Sequence, residues 1–338
     1  MYELIRPFLF LLDPERAHRI TIRLMHGLAG MPFLFRLLRS LYDTEDKPVK
    51  AFGLSFSNPV GLGAGYDKDA LGFRGLAALG MGHIEIGTVT PRPQTGNPKP
   101  RIFRLPSNQA LINRMGFPGR GIDFVKRQME GKKPENLVLG VNIGKNQETP
   151  NQEAAKDYLT LLRGFAGLAD YIAVNVSSPN TIGLRRLQAR DMLEGLLRVM
   201  VKERDRLVKH LEKPLPLLVK LAPDLDDREL DDALEASLIA GVEGVIATNT
   251  TVERGNLQSP LAGEEGGLSG KPLSERSTEM IRKITYRTAG ELPIIGVGGI
   301  MSPADALEKL DAGACLVQVY TGLVYQGPGL IKRIIEAC

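Results

Sequence analysis

From Asn58 onward the chain repeats one theme: a short run of β-branched and aliphatic residues, a polar or glycine-rich exit, then a stretch with apolar residues at helical spacing. Runs of the first kind predict strands, and the stretches that follow predict amphipathic helices. The strand runs are Pro59 to Gly63, His83 to Gly87, Leu137 to Ile143, Tyr171 to Val176, Leu217 to Ala222, Gly244 to Thr248, Pro293 to Val297 and Ala314 to Tyr320. Eight strands alternating with helices predict an α/β fold of the (β/α)8 TIM barrel type. The rival arrangement is an open doubly wound sheet. It usually has fewer strands and a glycine fingerprint after the first, and Gly61-Leu-Gly-Ala-Gly65 does not fit GxGxxG.

Residues 1–42 follow a different pattern. Leu4, Ile5, Phe8, Leu9 and Leu12 recur at helical spacing, and a second periodic stretch runs from Asp13-Pro14-Glu15 to about Leu28. Asp13 predicts an N-cap with Pro14 at the first helical position, hence two helices joined by a tight turn. A third short apolar segment, Pro32 to Leu38, follows. The longest uncharged run here, Gly27 to Phe35, falls far short of the roughly 20 residues that a membrane span needs, and no signal-peptide cleavage pattern is present. Arg6, Arg16, Arg19, Arg23, Arg36 and Arg39 stand beside several Phe and Leu, against Glu3, Asp13 and Glu15. Arginine with large apolar residues on a short helix pair suits an interfacial membrane element. A helical cap on the barrel floor, or a dimer contact, would use the same pattern.

The strand exits carry the candidate chemistry. In order they hold Lys68, Thr88, Asn142, Asn175 with Ser178, Lys220, Asn249 with Thr250, Gly298-Gly299, and Tyr320-Thr321-Gly322. In a parallel barrel all of these share one rim and face a single chamber. Ordinary turns also favour Asn, Ser and Gly, so one exit alone is uninformative. Gly298-Gly299 and Thr321-Gly322 follow strands seven and eight, where barrels often bind phosphate on bare backbone amides. Together they imply a phosphorylated ligand or cofactor. The other recognition groups are mostly neutral amides, Asn113, Asn142, Asn175, Asn180 and Asn249, whose donors and acceptor suit a flat heterocycle with alternating C=O and N–H. Lys68 and Lys220 suit a carboxylate and a reduced-cofactor anion. The segment from Thr88 to Arg120 is rich in Pro and Gly and lacks helical periodicity, so it reads as a long functional loop that folds Asn113-Arg-Met-Gly-Phe117 back over the rim. Thr181 to Arg190 would form a second cover beside Ser178.

Composition narrows the class without choosing it. With 338 residues, 43% of them hydrophobic and 24% charged, the chain can bury a large core, and one barrel plus a small extra element fits the length. The net charge of +4 permits anionic ligands or an acidic membrane surface, yet 43 basic residues nearly balance 39 acidic ones. No polybasic tail or RNA-binding motif is present, which argues against a nucleic-acid partner. Two cysteines, Cys315 and Cys338, exclude a disulfide framework and a Cys-based metal site, and point to a reducing compartment. His18, His26, His83 and His210 have no metal-ligand spacing, so no metal is expected.

Asn113-Arg-Met-Gly-Phe117, Asn175-Val-Ser-Ser-Pro-Asn180, Ala247-Thr-Asn-Thr-Thr251, Gly266-Gly-Leu-Ser-Gly270 and Ile295-Gly-Val-Gly-Gly-Ile300 together closely resemble dihydroorotate dehydrogenase, and the resemblance spans essentially the whole chain. The arginine-rich helical extension and the serine at the base position resemble the class 2, quinone-linked, membrane-associated branch. A class 1 enzyme would be expected to carry cysteine there, and Cys315 lies within the eighth strand run instead. The resemblance implies oxidation of (S)-dihydroorotate to orotate in de novo pyrimidine biosynthesis, with one FMN per chain as hydride acceptor and a membrane quinone as final acceptor. It assigns the catalytic base to Ser178. Substrate contacts fall on Lys68, Asn113, Arg114, Met115, Gly116, Phe117, Asn175, Asn180, Asn249 and Thr250. Flavin contacts fall on Ala64, Gly65, Tyr66, Asp67, Lys68, Thr88, Asn142, Asn175, Lys220, Thr248, Gly270, Gly299, Tyr320 and Thr321. His18 and Arg104 match positions that line the quinone tunnel. Residues 1–42 become the membrane and tunnel segment, residues 43–338 the FMN-binding barrel, attached peripherally to lipid on the cytoplasmic face of the inner membrane. Gly63 and Tyr66 depart from the family's expected Ala and Leu, and Thr321 from the commoner Ser, though Thr321 keeps the hydroxyl.

A serine is a poor base at neutral pH and acts only if the proton passes onward. No histidine falls at a strand exit, so a water or Thr181 relay is inferred, helped by Lys68 on the substrate carboxylate. Competing readings are a Schiff-base aldolase using Lys220, a tRNA-reducing flavin barrel, and a non-catalytic flavin-binding module. The second requires a cysteine acid and a basic RNA face that the sequence lacks, and the third would not need Ser178 and the five amides together.

Overall fold

The computed structural model describes residues 2–131 and 133–338. Its first three elements are helices α1 (Tyr2–Leu11), α2 (Pro14–Ala29) and α3 (Pro32–Leu41). The break between α1 and α2 is the expected cap: the Asp13 carboxylate accepts from the Arg16 N–H at 2.9 Å, and Pro14 occupies the first turn, where no amide donor is required. Among the described residues of these helices only Ala17 and Ile22 are buried. Leu4, Phe8, Leu11, Leu24, Phe33 and Leu41 are each more than half exposed. The amphipathic stripes thus point largely outward, away from the barrel. No helix among the described residues is long and apolar enough to cross a membrane.

The eight predicted strand runs form a closed parallel barrel in sequence order: Val60–Leu62, His83–Val89, Val138–Ile143, Tyr171–Asn175, Leu217–Leu221, Gly244–Ala247, Ile294–Val297 and Ala314–Val319. The eighth strand pairs with the first, Val317 opposite Val60, which closes the ring. Glycine inside the barrel makes room for large neighbours. A Cβ on Gly140 would lie 2.0 Å from the Tyr171 ring, and one on Gly61 would lie 2.3 Å from the His83 ring. Below the barrel a hairpin, Val49–Ala51 with Leu54–Phe56, places Phe52 and Phe56 against the inward side chains Val138, Tyr171, Leu218, Ile246, Ile295 and Leu316. It plugs the floor, so the ligand chamber opens at the opposite end.

The segment from Thr88 to Arg120 corrects the expectation of a structureless loop. Ile102–Leu105 and Ala110–Asn113 form an antiparallel hairpin, and Gly267–Gly270 joins as a third strand. Phe103, Leu105, Ala110, Ile112 and Leu268 form its own small core. The three-stranded sheet carries Asn113 over the rim, as the sequence required. Between Thr181 and Arg190 a short 3-10 turn, Leu184–Gln188, covers the neighbouring edge.

Candidate active site

The barrel mouth holds a cavity whose walls come from seven of the eight strand exits and from the cap sheet. One wall is a ladder of neutral amides. Thr88 Oγ1 donates to Asn142 Oδ1 at 2.5 Å, Asn175 Nδ2 donates to Asn142 Oδ1 at 3.1 Å, and Asn249 Nδ2 donates to Asn175 Oδ1 at 3.3 Å and to Ser177 Oγ at 3.0 Å. Each carboxamide is held by another, so their orientations are interdependent.

Ser178 is buried in the chamber wall. Its Oγ accepts from the Asn180 backbone N–H at 3.2 Å, a contact that favours negative charge on that oxygen. The Asn180 carboxamide donates to Asn113 Oδ1 at 3.1 Å, which ties the serine loop to the cap sheet. The neighbouring Thr181 hydroxyl is buried with no partner among the described residues. Across the cavity stands Lys68, whose pKa burial pulls down to about 8, while Asp69 pulls it up and Arg101 pushes it further down.

At the seventh and eighth exits the wall is bare backbone. Gly270, Gly298 and Gly299 have φ of +96°, +123° and +75°, and a Cβ on Gly299 would lie 2.2 Å from Ser274 Cα. Side chains are excluded, which leaves peptide groups facing the cavity. Thr321 Oγ1 and Ser269 Oγ lie 2.9 Å apart beside them. Backbone and hydroxyl groups of this kind suit a phosphate.

A second cavity, about 1000 Å³ and mostly apolar, runs between α1, α2 and the barrel. His18, Tyr66, Arg104, Phe10, Met25 and Leu38 are among its walls. His18, Ile102, Leu111 and Tyr320 line both cavities, so the two share one partition. The His18 ring meets Tyr66 edge-on at 5.0 Å, and burial with the nearby Lys68 charge pushes its pKa to about 4, leaving it neutral. Arg104 donates to the Phe10 and Leu12 carbonyls at 3.0 and 2.8 Å and stacks on the Phe10 ring at 4.7 Å, which pins the end of α1.

Of the residues singled out from sequence, Ala64, Gly65, Lys68, Thr88, Asn113, Met115, Gly116, Phe117, Asn175, Ser178, Asn180, Lys220, Thr248, Asn249, Thr250, Gly270, Gly299, Tyr320 and Thr321 line the chamber. Four stand elsewhere. Tyr66 lines the apolar cavity, consistent with its greater bulk being turned away from the chamber. Asp67 lies behind the wall, accepting from the Leu71 and Gly72 amides, with its pKa raised to about 6 by burial. Asn142 acts through Thr88 and Asn175 from one layer below. Arg114 turns outward to Glu264 at 2.6 Å, its guanidinium over Phe103. Sequence reasoning missed Gln318 and Ser269 on the chamber wall, and Glu85 beneath it. A glutamate inside the run His83-Ile-Glu-Ile was the available signal, since a charge in a buried strand requires partners.

The family described as dihydroorotate dehydrogenase matches residues 48–338. A relative from Acidithiobacillus ferrooxidans, dihydroorotate dehydrogenase (quinone), is 50% identical over 99% of this chain and 93% of its own length. One of the same description from a Roseiflexus species is 49% identical over 99% of this chain and 92% of its own. Among solved structures, DHODH from Eimeria tenella in complex with ferulenol superposes with a TM-score of 0.88 at 37% identity, covering 98% of this chain and 93% of that one. With the barrel, the chamber and the motifs in agreement, the chain belongs to the dihydroorotate dehydrogenase family, in its quinone-dependent branch.

Proposed function

We propose that this chain oxidises (S)-dihydroorotate to orotate with one FMN in the chamber, Ser178 as base, and a membrane quinone reaching the flavin through the apolar cavity. The observation that carries the reading is the shared partition: a polar, amide-lined chamber and an apolar tunnel meet at His18, Ile102, Leu111 and Tyr320. A two-step redox enzyme needs one such place, where a polar donor and a lipid-soluble acceptor both reach a single group.

The residues fit the flavin. Gly270, Gly298, Gly299 and Thr321 supply a side-chain-free cradle for its phosphate. The floor supplies Lys220 and the buried Gln318 Oε1, an acceptor with no partner among the described residues that would be available to a ring N–H. Bound there, FMN would supply the hydride acceptor. The chain's own groups do the rest. Asn113, Asn175, Asn180 and Asn249 would hydrogen-bond the alternating C=O and N–H groups of the substrate ring and hold it in one pose, and Lys68 would meet its carboxylate. Ser178 would take the C5 proton, with the Asn180 N–H offsetting charge on its oxygen. Thr181, whose hydroxyl has no partner among the described residues, would carry that proton toward solvent.

The exposed apolar face of α1 to α3, with its arginines, supports peripheral attachment to lipid, and cations favour the anionic cytoplasmic leaflet of the inner membrane. The decisive test is acceptor choice. Dihydroorotate turnover with a short-chain quinone, and none with fumarate or NAD, is the expected result; turnover with fumarate or NAD instead would refute the quinone assignment.

A further inference from the structure

Glu85 is fully buried on the second barrel strand, one layer beneath the chamber, and touches no chamber surface. Its carboxylate gathers donors from four other strands. Oε1 accepts from Asn142 Nδ2 at 2.8 Å, with Lys220 Nζ at 3.5 Å. Oε2 accepts from Gln318 Nε2 at 2.9 Å and from the Tyr171 hydroxyl at 3.1 Å. Two consequences follow from chemistry alone. An ionised carboxylate only accepts, so Asn142 and Gln318 must both turn their NH2 groups toward it. Asn142 Oδ1 therefore faces Thr88 and Asn175, which sets the sense of the amide ladder, and Gln318 Oε1 is left as a buried acceptor on the chamber wall. Second, Glu85 is the carboxylate within ion-pair range of Lys220, itself buried and lining the chamber. A buried ammonium without a counter-charge sheds its proton.

We propose that Glu85 is a positioning residue for the redox step: it supplies the counter-charge of Lys220 and fixes the orientation of the amides, so that the flavin ring would meet a balanced ion pair. This rests on the reading that FMN binds over Lys220. Other ionisable groups face the pair. Tyr171 is held neutral, its pKa raised well above the ordinary range by burial and by Glu85; Asp170 lies beyond it; His83 on the same strand is pushed to about 3 by burial; and Lys68 stands across the chamber near 8. Within the working range Lys68 is thus the background titration, common to all variants that retain it.

The test is the flavin midpoint potential, followed by absorbance from about pH 6 to 9, for wild type, Glu85→Gln, Glu85→Asp and the double variant Glu85→Gln/Lys220→Met. Glu85→Gln should gain a pH-dependent step absent from wild type, because Lys220 is left without its counter-charge. Glu85→Asp should restore the wild-type profile, and the double variant should lose the added step. A Glu85→Gln profile that superimposes on wild type would overturn the proposal. If Glu85→Gln fails to fold or to retain flavin, the double variant, which buries no unpaired charge, should recover the fold, and Glu85→Asp should recover both fold and flavin; failure of both variants to recover would equally overturn it. A wild-type preparation that is colourless and takes up no flavin would defeat the flavin reading itself, whereas a yellow wild type with an unshifted Glu85→Gln defeats only the role of Glu85.

Discussion

Lys68 is where pH should act on substrate capture. Burial lowers its pKa to about 8, Asp69 and Glu15 hold it up, and Arg101 and Lys220 press it down. Below that value the free protein presents a cation to the substrate's carboxylate, which is ionised throughout the working range; above it, a neutral amine. The kcat/KM for dihydroorotate should therefore fall as pH rises through about 8. Bound carboxylate favours the ammonium, so the corresponding limb in kcat lies at higher pH. A hydrogen bond between charged partners contributes about 1.5–3 kcal/mol, which corresponds to a loss of roughly 10- to 150-fold in kcat/KM when it is removed.

The assay is steady-state turnover with a short-chain quinone from about pH 6 to 10. Lys68→Met should show the full loss at neutral pH and no alkaline limb. Lys68→Arg should keep its charge and move the limb beyond the measured range. Asp69→Asn should move the limb to lower pH, because that carboxylate holds the lysine's pKa up. An alkaline limb that persists unchanged in Lys68→Met, or a limb that moves upward in Asp69→Asn, would refute the reasoning.

Ser178→Ala should slow flavin reduction by dihydroorotate roughly 10²- to 10⁴-fold in stopped-flow absorbance while the protein stays yellow. Gly299→Ala should release the flavin on gel filtration, because its φ of +75° disfavours a side chain and the added Cβ would lie 2.2 Å from Ser274 Cα. Gly75→Val should lift α2 from the barrel, since even a Cβ there would lie 2.0 Å from the Met25 carbonyl oxygen. Quinone-linked turnover should then drop while reduction of the flavin by dihydroorotate continues, which a stopped-flow comparison of the two half-reactions would show.

The barrel was legible because its strands are buried on both sides and read as apolar runs, each ending in a residue too polar for the core: Lys68, Asn142, Asn175, Lys220, Asn249. The two smaller sheets were not. The floor hairpin has three-residue strands around Gly53, too short to show alternation, and Ala110–Asn113 finds its second partner at Gly267–Gly270, a pairing no local pattern encodes. Exits indicated most of the residues that line the chamber but not the layer beneath them. Glu85 and Gln318 lie inside strands, where side-chain direction depends on the barrel's closure. Arg114 belongs to a motif that crosses the rim, yet just past the end of the strand Ala110–Asn113 it turns outward to Glu264 while Asn113 turns in.

The amino-terminal helices make sense only if something covers them. They are tied to the barrel by a small share of its core, Ile22 with Met25 and Leu38 packed beside it, and by polar contacts: Arg6 donates to the Tyr325 carbonyl at 2.8 Å, Arg104 to the Phe10 and Leu12 carbonyls, and Arg101 pairs with both oxygens of Glu15 at 3.2 and 2.9 Å. Covering their exposed Leu, Ile, Met and Phe side chains would contribute on the order of 10 kcal/mol. On the proposed reading a lipid surface would supply that stabilisation. The same helices turn Leu9, Phe10, Ala17 and Met25 inward to line the apolar cavity. An acceptor soluble in acyl chains would then pass from lipid to Tyr320 along that apolar wall. The ties at Arg101 and Arg104 hold that wall in register with the chamber, and Arg101 also bonds the Thr95 and Asn97 carbonyls, whose loop reaches Asn180 beside Ser178.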